Sequence, residues 1–204
     1  KLPKDNRWGT FPGISAGWVL SRENFMESCS NVLSYAKIRA SYGANGNVSG
    51  VLDANGNVVT GLDYYTVQGS YGIMKDKDGK IVPNYNGKVP LMINDLPNPT
   101  MRWEKSYTFE TGFDIGFLNN KYILNFTYYN RHTQDKFAEI TLPSHSGVSS
   151  FLSNNGEVQN QGMELELTAN VLRTKDWKFT VSMNTAYNKN KIISLPYNLS
   201  LIHI

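Results

Sequence analysis

The sequence predicts an all-β, antiparallel protein whose strands carry one apolar and one polar face. Six segments alternate apolar and polar residues with a period of two, which is the period of a β-strand. The links between these segments alternate between short and long, and the segments are longer than most soluble strands. Together these observations predict about six neighbouring strands of a transmembrane β-barrel with long extracellular loops.

The first two strands are predicted from the same alternation. Their apolar positions are Ile14, Ala16, Trp18 and Leu20, then Ala36, Ile38, Ala40 and Tyr42. Between them, a short helical piece is predicted near 21–27, with Ser21 as its cap.

The next two strands form the clearest hairpin. The apolar positions of this hairpin are Tyr107, Phe109, Phe113, Ile115 and Phe117, then Tyr122, Leu124, Phe126 and Tyr128. Asn119 and Asn120 predict a tight turn between them, and Glu110 and Asp114 occupy the opposite face. An uncharged apolar face opposite a charged one suits either a protein core or a lipid bilayer.

The last two strands complete the predicted six. Their apolar positions are Met163, Leu165, Leu167, Ala169 and Val171, then Trp177, Phe179, Val181, Met183 and Tyr187. None of the apolar sets contains Lys or Arg, either of which would cost about 2–4 kcal/mol in mid-membrane. The opposite face carries Lys37, Arg39, Glu110, Asp114, Arg131, Glu164, Glu166 and Lys178.

The lengths of the links favour the membrane. Short links are predicted at 21–34, 118–121 and 172–176, and long ones at 45–103 and 138–159. Outer-membrane barrels place short turns in the periplasm and long loops outside. Asn-Gly and Asp-Gly dipeptides predict two hairpins within the first long link, at 53–58 and 76–80, before 94–99 returns the chain to the sheet.

Strand length and aromatic placement favour the membrane as well. Residues 107–117 span ten steps of about 3.4 Å, and a tilt of about 45° gives a height near 24 Å, close to the apolar band of a bacterial barrel. Aromatic residues end the apolar sets at both sides, as in interfacial girdles. These residues are Trp18, Phe117, Tyr122 and Trp177 by the short turns, and Tyr42, Tyr107, Tyr128 and Tyr187 by the long loops.

Composition excludes several classes of protein. The net charge is +3 and no basic stripe is present, so nucleic-acid binding is not expected. No stretch reaches the roughly 18 apolar residues of a membrane helix. The single cysteine, Cys29, cannot form an internal disulfide and is expected to be a small buried or interfacial residue. No signal peptide opens the chain, and both ends are interpreted as cuts through a longer protein.

No motif predicts an enzyme, a cofactor or a metal. Asp53, Asn55 and Asn57 resemble the start of a calcium loop, but Val58 and Tyr64 stand where its glycine and glutamate belong, so a hairpin turn is favoured. The histidines His132, His145 and His203 lack metal-ligand spacing. Ser144 and His145 lack a nucleophile elbow, the carboxylate pairs 110/114 and 164/166 suit a polar wall, and no phosphate loop occurs.

Several phrases together resemble one family. They are FPGISAGWVLS (11–21), NFM (24–26), AKIRASYGANGN (36–47), NPTMRWEK (98–105), FLNNK (117–121), NFTYYNRHT (125–133), NGEVQNQGMEL (155–165) and NKNK (188–191). The chain resembles the SusC/RagA-like TonB-dependent outer-membrane transporters of Bacteroidetes over nearly its whole length.

That resemblance implies the architecture of a longer protein. Residues 1–204 would be part of one 22-stranded barrel domain, with the plug and the N-terminal domains outside this sequence. The barrel would lie in the Gram-negative outer membrane. TonB, ExbB and ExbD would energise it through the missing N-terminal part, and a SusD-like lipoprotein would form its lid.

The resemblance also implies the cargo and the contact residues. The imported solutes would be glycan oligosaccharides or peptides. Loop aromatics are the candidates for solute or lid contact: Tyr64, Tyr65, Tyr71, Tyr85 and Phe151. The charges of the polar face would face the lumen and contact the plug. Two alternatives stay open at this stage, a soluble β-sandwich that binds carbohydrate or acts as an adhesin, and a passive porin without a plug.

Overall fold

A computed structural model describes residues 2–48, 67–82, 86, 88–148 and 150–195. Its strands, numbered in chain order, are β1 Gly13–Val19, β2 Leu33–Asn47, β3 Ser70–Ile73, β4 Leu91–Asp95, β5 Glu104–Phe117, β6 Tyr122–Thr141, β7 Ser150–Arg173 and β8 Lys178–Ser194. Six of them form one antiparallel sheet in the order β1-β2-β5-β6-β7-β8, and β3 pairs with β4 in a separate ribbon. The six predicted strands are therefore confirmed, and the sheet is open between its edges, β1 and β8.

The register keeps the two faces separate across the whole sheet. Phe113 pairs with Ile38 on one side and with Phe126 on the other, so apolar side chains align from strand to strand. Asp114 pairs with Lys37 and Asn125 on the opposite face. A slip of one residue would exchange the faces, so the alternating pattern excludes slips of an odd number of residues from this register.

The short links agree with the prediction in place and differ in detail. Leu118, Asn119 and Asn120 all have left-handed backbones, with φ of 50°, 54° and 58°, a conformation that Asn adopts more readily than most residues. Between β1 and β2 the chain forms two 3₁₀ helices, Leu20–Arg22 and Asn24–Cys29, instead of a helix capped by Ser21. Glu23 ties this link to the sheet, because its carboxylate accepts a 2.8 Å hydrogen bond from the Trp18 indole.

The predicted long loop at 138–159 is wrong in form. Strand β6 continues to Thr141 and β7 begins at Ser150, so only 142–149 connects them. Beyond Tyr129, polar residues occupy both faces of the strands. The sequence therefore shows no apolar–polar alternation there, although the backbones still pair. Irregular register near 133–138, with Asp135 at φ 56°, marks this extension.

The described part of the long link 45–103 contains the β3–β4 ribbon. Its second predicted hairpin is confirmed: Gly79 donates to the Asp76 carbonyl at 3.1 Å, and the Asp76 carboxylate accepts from the Asp78 and Lys80 amides. The first, at 53–58, lies outside the described residues. Strand β4 includes Asn94 and Asp95, so the return segment starts later than predicted.

Among the described residues, one small apolar core is buried. It lies at the end of the sheet that carries the connections 45–103 and 142–149, here called the long-link end. Leu2, Met101 and Phe137 form its centre, and Val48, Val67, Trp103 and Leu152 pack around them. Elsewhere many large apolar side chains of the sheet are exposed, among them Ile14, Trp18, Ile38 and Met183, while those of the central strands, such as Phe113 and Phe126, are half-buried. Within the described residues no helix is long and apolar enough to cross a membrane.

Candidate functional site

The charged face of the main sheet is a concave, polar surface. Five of the eight predicted polar-face charges line a groove of about 900 Å³ that crosses β2, β5, β6, β7 and β8: Lys37, Arg39, Asp114, Glu164 and Glu166. Glu110 and Arg131 line a neighbouring depression of about 400 Å³ on the same face. Lys178 shares the face but stands apart, at the start of β8.

Arg39 is the centre of this groove. Its guanidinium lies 2.8 Å from the Glu110 carboxylate and 3.7 Å from that of Asp114, and it donates to the Thr127 hydroxyl at 2.6 Å. Gly112 leaves room for this contact, since a Cβ there would lie 3.2 Å from the guanidinium and 2.4 Å from the Phe126 carbonyl. Arg39 thus links three adjacent strands across one glycine.

The groove carries an excess of negative charge. Across the groove and the neighbouring depression, the basic groups of Lys37, Arg39 and Arg131 face four carboxylates, those of Glu110, Asp114, Glu164 and Glu166. Arg39 already pairs with two of these. Glu166 accepts only a 3.3 Å hydrogen bond from the Asn125 amide among the described residues. The side of the groove formed by β7 therefore offers carboxylates to cations or to hydroxyl donors from outside the sheet.

The predicted contact aromatics are only partly described. Tyr71 lies in β3 and is exposed, while Phe151 lies half-buried in β7 and pairs with Ile140. They belong to separate sheets, and Tyr64, Tyr65 and Tyr85 lie outside the described residues. The predicted role of these five side chains therefore stays a prediction.

Sequence reasoning missed a polar cluster beside the small core. Asn154 accepts from the Arg102 amide at 3.0 Å and donates to the carbonyls of Arg102 and Asp135. The hydrogen bond from the Arg102 side chain to Asp135 raises the pKa of that arginine, so its guanidinium stays charged. Asn98 and Asn154 are both buried, and the phrases NPTMRWEK (98–105) and NGEVQNQGMEL (155–165) were the sequence signals beside them.

Glu104 completes this cluster. Its carboxylate is buried and accepts from the Phe137 amide at 2.8 Å and from the Asn47 side chain at 2.9 Å. Lys136 approaches it at 3.9 Å. The cluster thus joins β2, β5, β6 and β7 at the long-link end. This end lies beyond the apolar band, which is the zone of the sheet formed by the predicted apolar sets.

Metal and thiol chemistry find no support in the described residues. Within them, no group of three or more His, Cys, Asp or Glu side chains could hold a metal ion, and the calcium-like 53–57 segment lies outside them. Cys29 is exposed at the end of a 3₁₀ helix, so of the two expected settings, buried or interfacial, the buried one is wrong and the interfacial one stays a prediction. The link that holds Cys29 packs on the short-turn end of the sheet, away from the groove.

Comparison with known proteins identifies the family. The model of the "TonB dependent receptor-like, beta-barrel" family matches residues 3–199. The chain belongs to this family. The resemblance to SusC/RagA-like members of the TonB-dependent receptor family is therefore confirmed.

Individual relatives agree with that assignment. TonB-dependent receptor P3 of Formosa agariphila is 32% identical over 193 residues, covering 95% of this chain and 18% of the relative. TonB-dependent receptor SusC of Bacteroides thetaiotaomicron is 32% identical over 196 residues, covering 96% and 18%. The RagAB peptide importer in its closed-closed state superposes with a TM-score of 0.77 at 26% identity, covering 97% and 20%. The chain spans about a fifth of the length of these relatives.

Proposed function

We propose that the full protein is an outer-membrane TonB-dependent transporter that imports oligosaccharides or peptides. One observation carries this proposal within the family: a single sheet has an uncovered apolar face and a charged, concave opposite face. The apolar face suits lipid, and the charged face suits a water-filled lumen.

The uncovered apolar face argues against the soluble sandwich. A sandwich covers its apolar face with a second sheet about 10 Å away. In the described residues the apolar side chains of β1 and β8 stay open, with Ile14 at 74% and Tyr187 at 60% exposure. Exposed apolar surface of this extent needs a partner, and a bilayer is the partner that a row of tilted, alternating strands fits.

The charged face supports the proposal that another part of the protein fills the barrel lumen and contacts this face. Lys37, Arg39, Glu110, Asp114, Arg131, Glu164, Glu166 and Lys178 all stand on it, and we propose that they face the plug. The surplus carboxylates on β7 suit cationic side chains of such a plug. A passive porin would share the barrel and leave this groove to water.

The relatives guide the choice of cargo and partners. One structural neighbour is the RagAB peptide importer, and one relative is named SusC. We propose a SusD-like lid lipoprotein and energy coupling through TonB, ExbB and ExbD. Tyr64, Tyr65, Tyr71, Tyr85 and Phe151 are the candidate contacts to solute or lid, because exposed aromatic rings stack on sugars and pack against partner proteins.

Uptake by cells that express the full-length protein tests this function. Labelled oligosaccharides and labelled peptides are supplied separately, with and without a protonophore, and a strain without the gene is the control. Protonophore-sensitive uptake of one class is expected. Uptake that ignores the protonophore would indicate a porin, and recovery of the protein as a soluble species without detergent would contradict the membrane assignment. Affinity purification in detergent should retain a lid lipoprotein.

A further inference from the structure

The outward face changes character sharply at its long-link end. Along β6 the apolar positions end at Tyr128, and the next two outward residues are Asn130 and His132. Across β7 and β8 the same step runs from Met163 and Tyr187 to polar residues. The outward positions beyond the apolar band, here called the outer polar rim, are Lys105, Asn130, His132, Gln134, Glu157, Gln159, Gln161, Lys189 and Lys191.

The register proves that the rim shares the face of the apolar band. Asn130 pairs with Phe109 and with Gln161, and Gln161 pairs with Lys189. His132 pairs with Tyr107 and Gln159, and Gln159 with Lys191, in the next row. Beside Phe109 and Tyr107 of β5, these two rows carry amide, imidazole and amine groups on β6, β7 and β8, next to the row of Tyr128, Met163 and Tyr187.

Among the described residues, the rim contains lysines that have no acidic partner. His132 lies 2.6 Å from Glu157, and Gln159 donates to Asn130 at 3.0 Å, so these four side chains are paired. Within the described part of the chain no carboxylate lies within ion-pair distance of Lys105, Lys189 or Lys191. Lys189 and Lys191 are both exposed.

A depression crosses the boundary between the band and the rim. Its volume is about 360 Å³, and it is lined by Tyr42, Tyr107 and Phe109 from the band and by Asn130, His132 and Gln134 from the rim. An occupant must therefore present apolar and polar groups on adjoining parts of one molecule. Lipid meets a barrel in this manner, with acyl chains along the band and a headgroup beside the rim.

We propose that the outer polar rim binds the headgroup of a phosphate-bearing glycolipid of the outer leaflet. Lysine ammonium groups attract phosphate, and the amides of Gln161 and Gln134 suit sugar hydroxyls. The acyl chains would lie on the aromatic residues beneath. This inference rests on the outer-membrane placement within the proposed function and adds a lipid partner to it.

Native mass spectrometry of the full-length protein in detergent tests the site. The probes are phosphorylated lipid A and the same lipid A after phosphatase treatment. A surface cation contributes about a fivefold change in affinity for an anionic lipid, so Lys189→Gln with Lys191→Gln should weaken binding of the phosphorylated probe about 25-fold. Binding of the dephosphorylated probe should change little. The matched control is Lys121→Gln with Lys175→Gln, which removes two charges at the short-turn end and should leave binding at the wild-type level.

Each outcome decides the proposal. Unchanged binding in the Lys189/Lys191 variant, an equal loss in the control, or an equal loss for the dephosphorylated probe would overturn it. Competition by millimolar inorganic phosphate would show a free-phosphate site in place of a lipid site and would also overturn it. Solute uptake by the Lys189/Lys191 variant should match wild type. If wild-type uptake itself is absent while phosphate-dependent lipid binding holds, the transport proposal fails and the lipid site stands.

Discussion

The two ends of the long strands are stabilised by different means. At the long-link end Met101 is completely buried, and Glu104 and Asn154 are buried with their hydrogen bonds satisfied. In the apolar band of the same sheet, large side chains such as Met183 are more than half exposed. The end beyond the band has an internal core, whereas the band depends on its surroundings.

This difference explains how one chain can be stable with one part in lipid and another part in water. In water the exposed band would drive association, because about 25 cal/mol is lost for each Å² of apolar surface left uncovered. In lipid that cost disappears, and backbone pairing between strands satisfies the polar groups. In the outer-membrane setting proposed above, the end beyond the band would project into water and would therefore need the ordinary protein devices, a packed core and buried hydrogen bonds.

Truncation of Met101 should have the largest effect and should be confined to the long-link end. Met101→Ala removes the most buried side chain, beside Leu2 and Phe137, and such changes cost about 2–5 kcal/mol. Hydrogen exchange of the full-length protein in detergent should show a loss of protection of at least about 30-fold at the Arg102 and Phe137 amides, and no loss in the band. Met92→Ala, at a half-exposed site in β4, is the control and should stay within about 0.5 kcal/mol of wild type. Equal losses in both variants would show that no local core exists.

A charge in the band should be the next largest effect. Leu167→Arg places a cation between Leu124 and Met183 on the apolar face, which costs about 2–4 kcal/mol in mid-membrane. The neighbouring variant Thr168→Arg places the same cation on the polar face and should cost less than about 1 kcal/mol. Denaturant unfolding of the full-length protein in phospholipid vesicles gives both values. Similar costs for the two variants would contradict the assignment of faces.

The band could be predicted from sequence, and the long-link end could not. Alternation at Phe113, Ile115, Leu124 and Phe126 is a local signal, and it predicted strand type and face without any tertiary knowledge. The small core joins Leu2, Met101 and Phe137, which lie about a hundred and about forty residues apart and carry no shared periodicity.

The sequence predicted which charged residues share one face of the sheet, but it did not predict which of them form ion pairs. Alternation placed Arg39, Glu110 and Asp114 on one side of the sheet. Which carboxylate Arg39 meets depends on the stagger between β2 and β5, together with the missing side chain of Gly112. This offset between neighbouring strands depends on the whole sheet, so no local sequence pattern predicts it.

Removal of the buried charge of Glu104 should have an intermediate effect. Glu104→Gln keeps an acceptor for the Phe137 amide but places an amide donor opposite the Asn47 side chain, and losing a buried charged acceptor costs about 1–3 kcal/mol. Exchange protection at Phe137 should fall by about 5-fold to 150-fold, with the band unchanged. Glu157→Gln, at a partly exposed partner of His132, supplies the comparison and should change Phe137 little. A neutral result for Glu104→Gln would show that its hydrogen bonds are replaced by water.

The Arg39–Glu110 pair should show the smallest effect, because both side chains are about one-third exposed in the groove. A double-mutant cycle with Arg39→Gln, Glu110→Gln and the double variant should give a coupling below about 1 kcal/mol in the barrel without its plug, as for other solvated ion pairs. In the full-length protein the proposed plug would exclude water from the groove. The coupling should then exceed about 1.5 kcal/mol, since desolvation strengthens an ion pair whose partners both stay in place. The cycle is measured by denaturant unfolding in vesicles, with and without the plug segment. Equal couplings would mean that the groove stays wet and that the plug does not cover Arg39, which would reassign this part of the polar face from plug contact to solute passage.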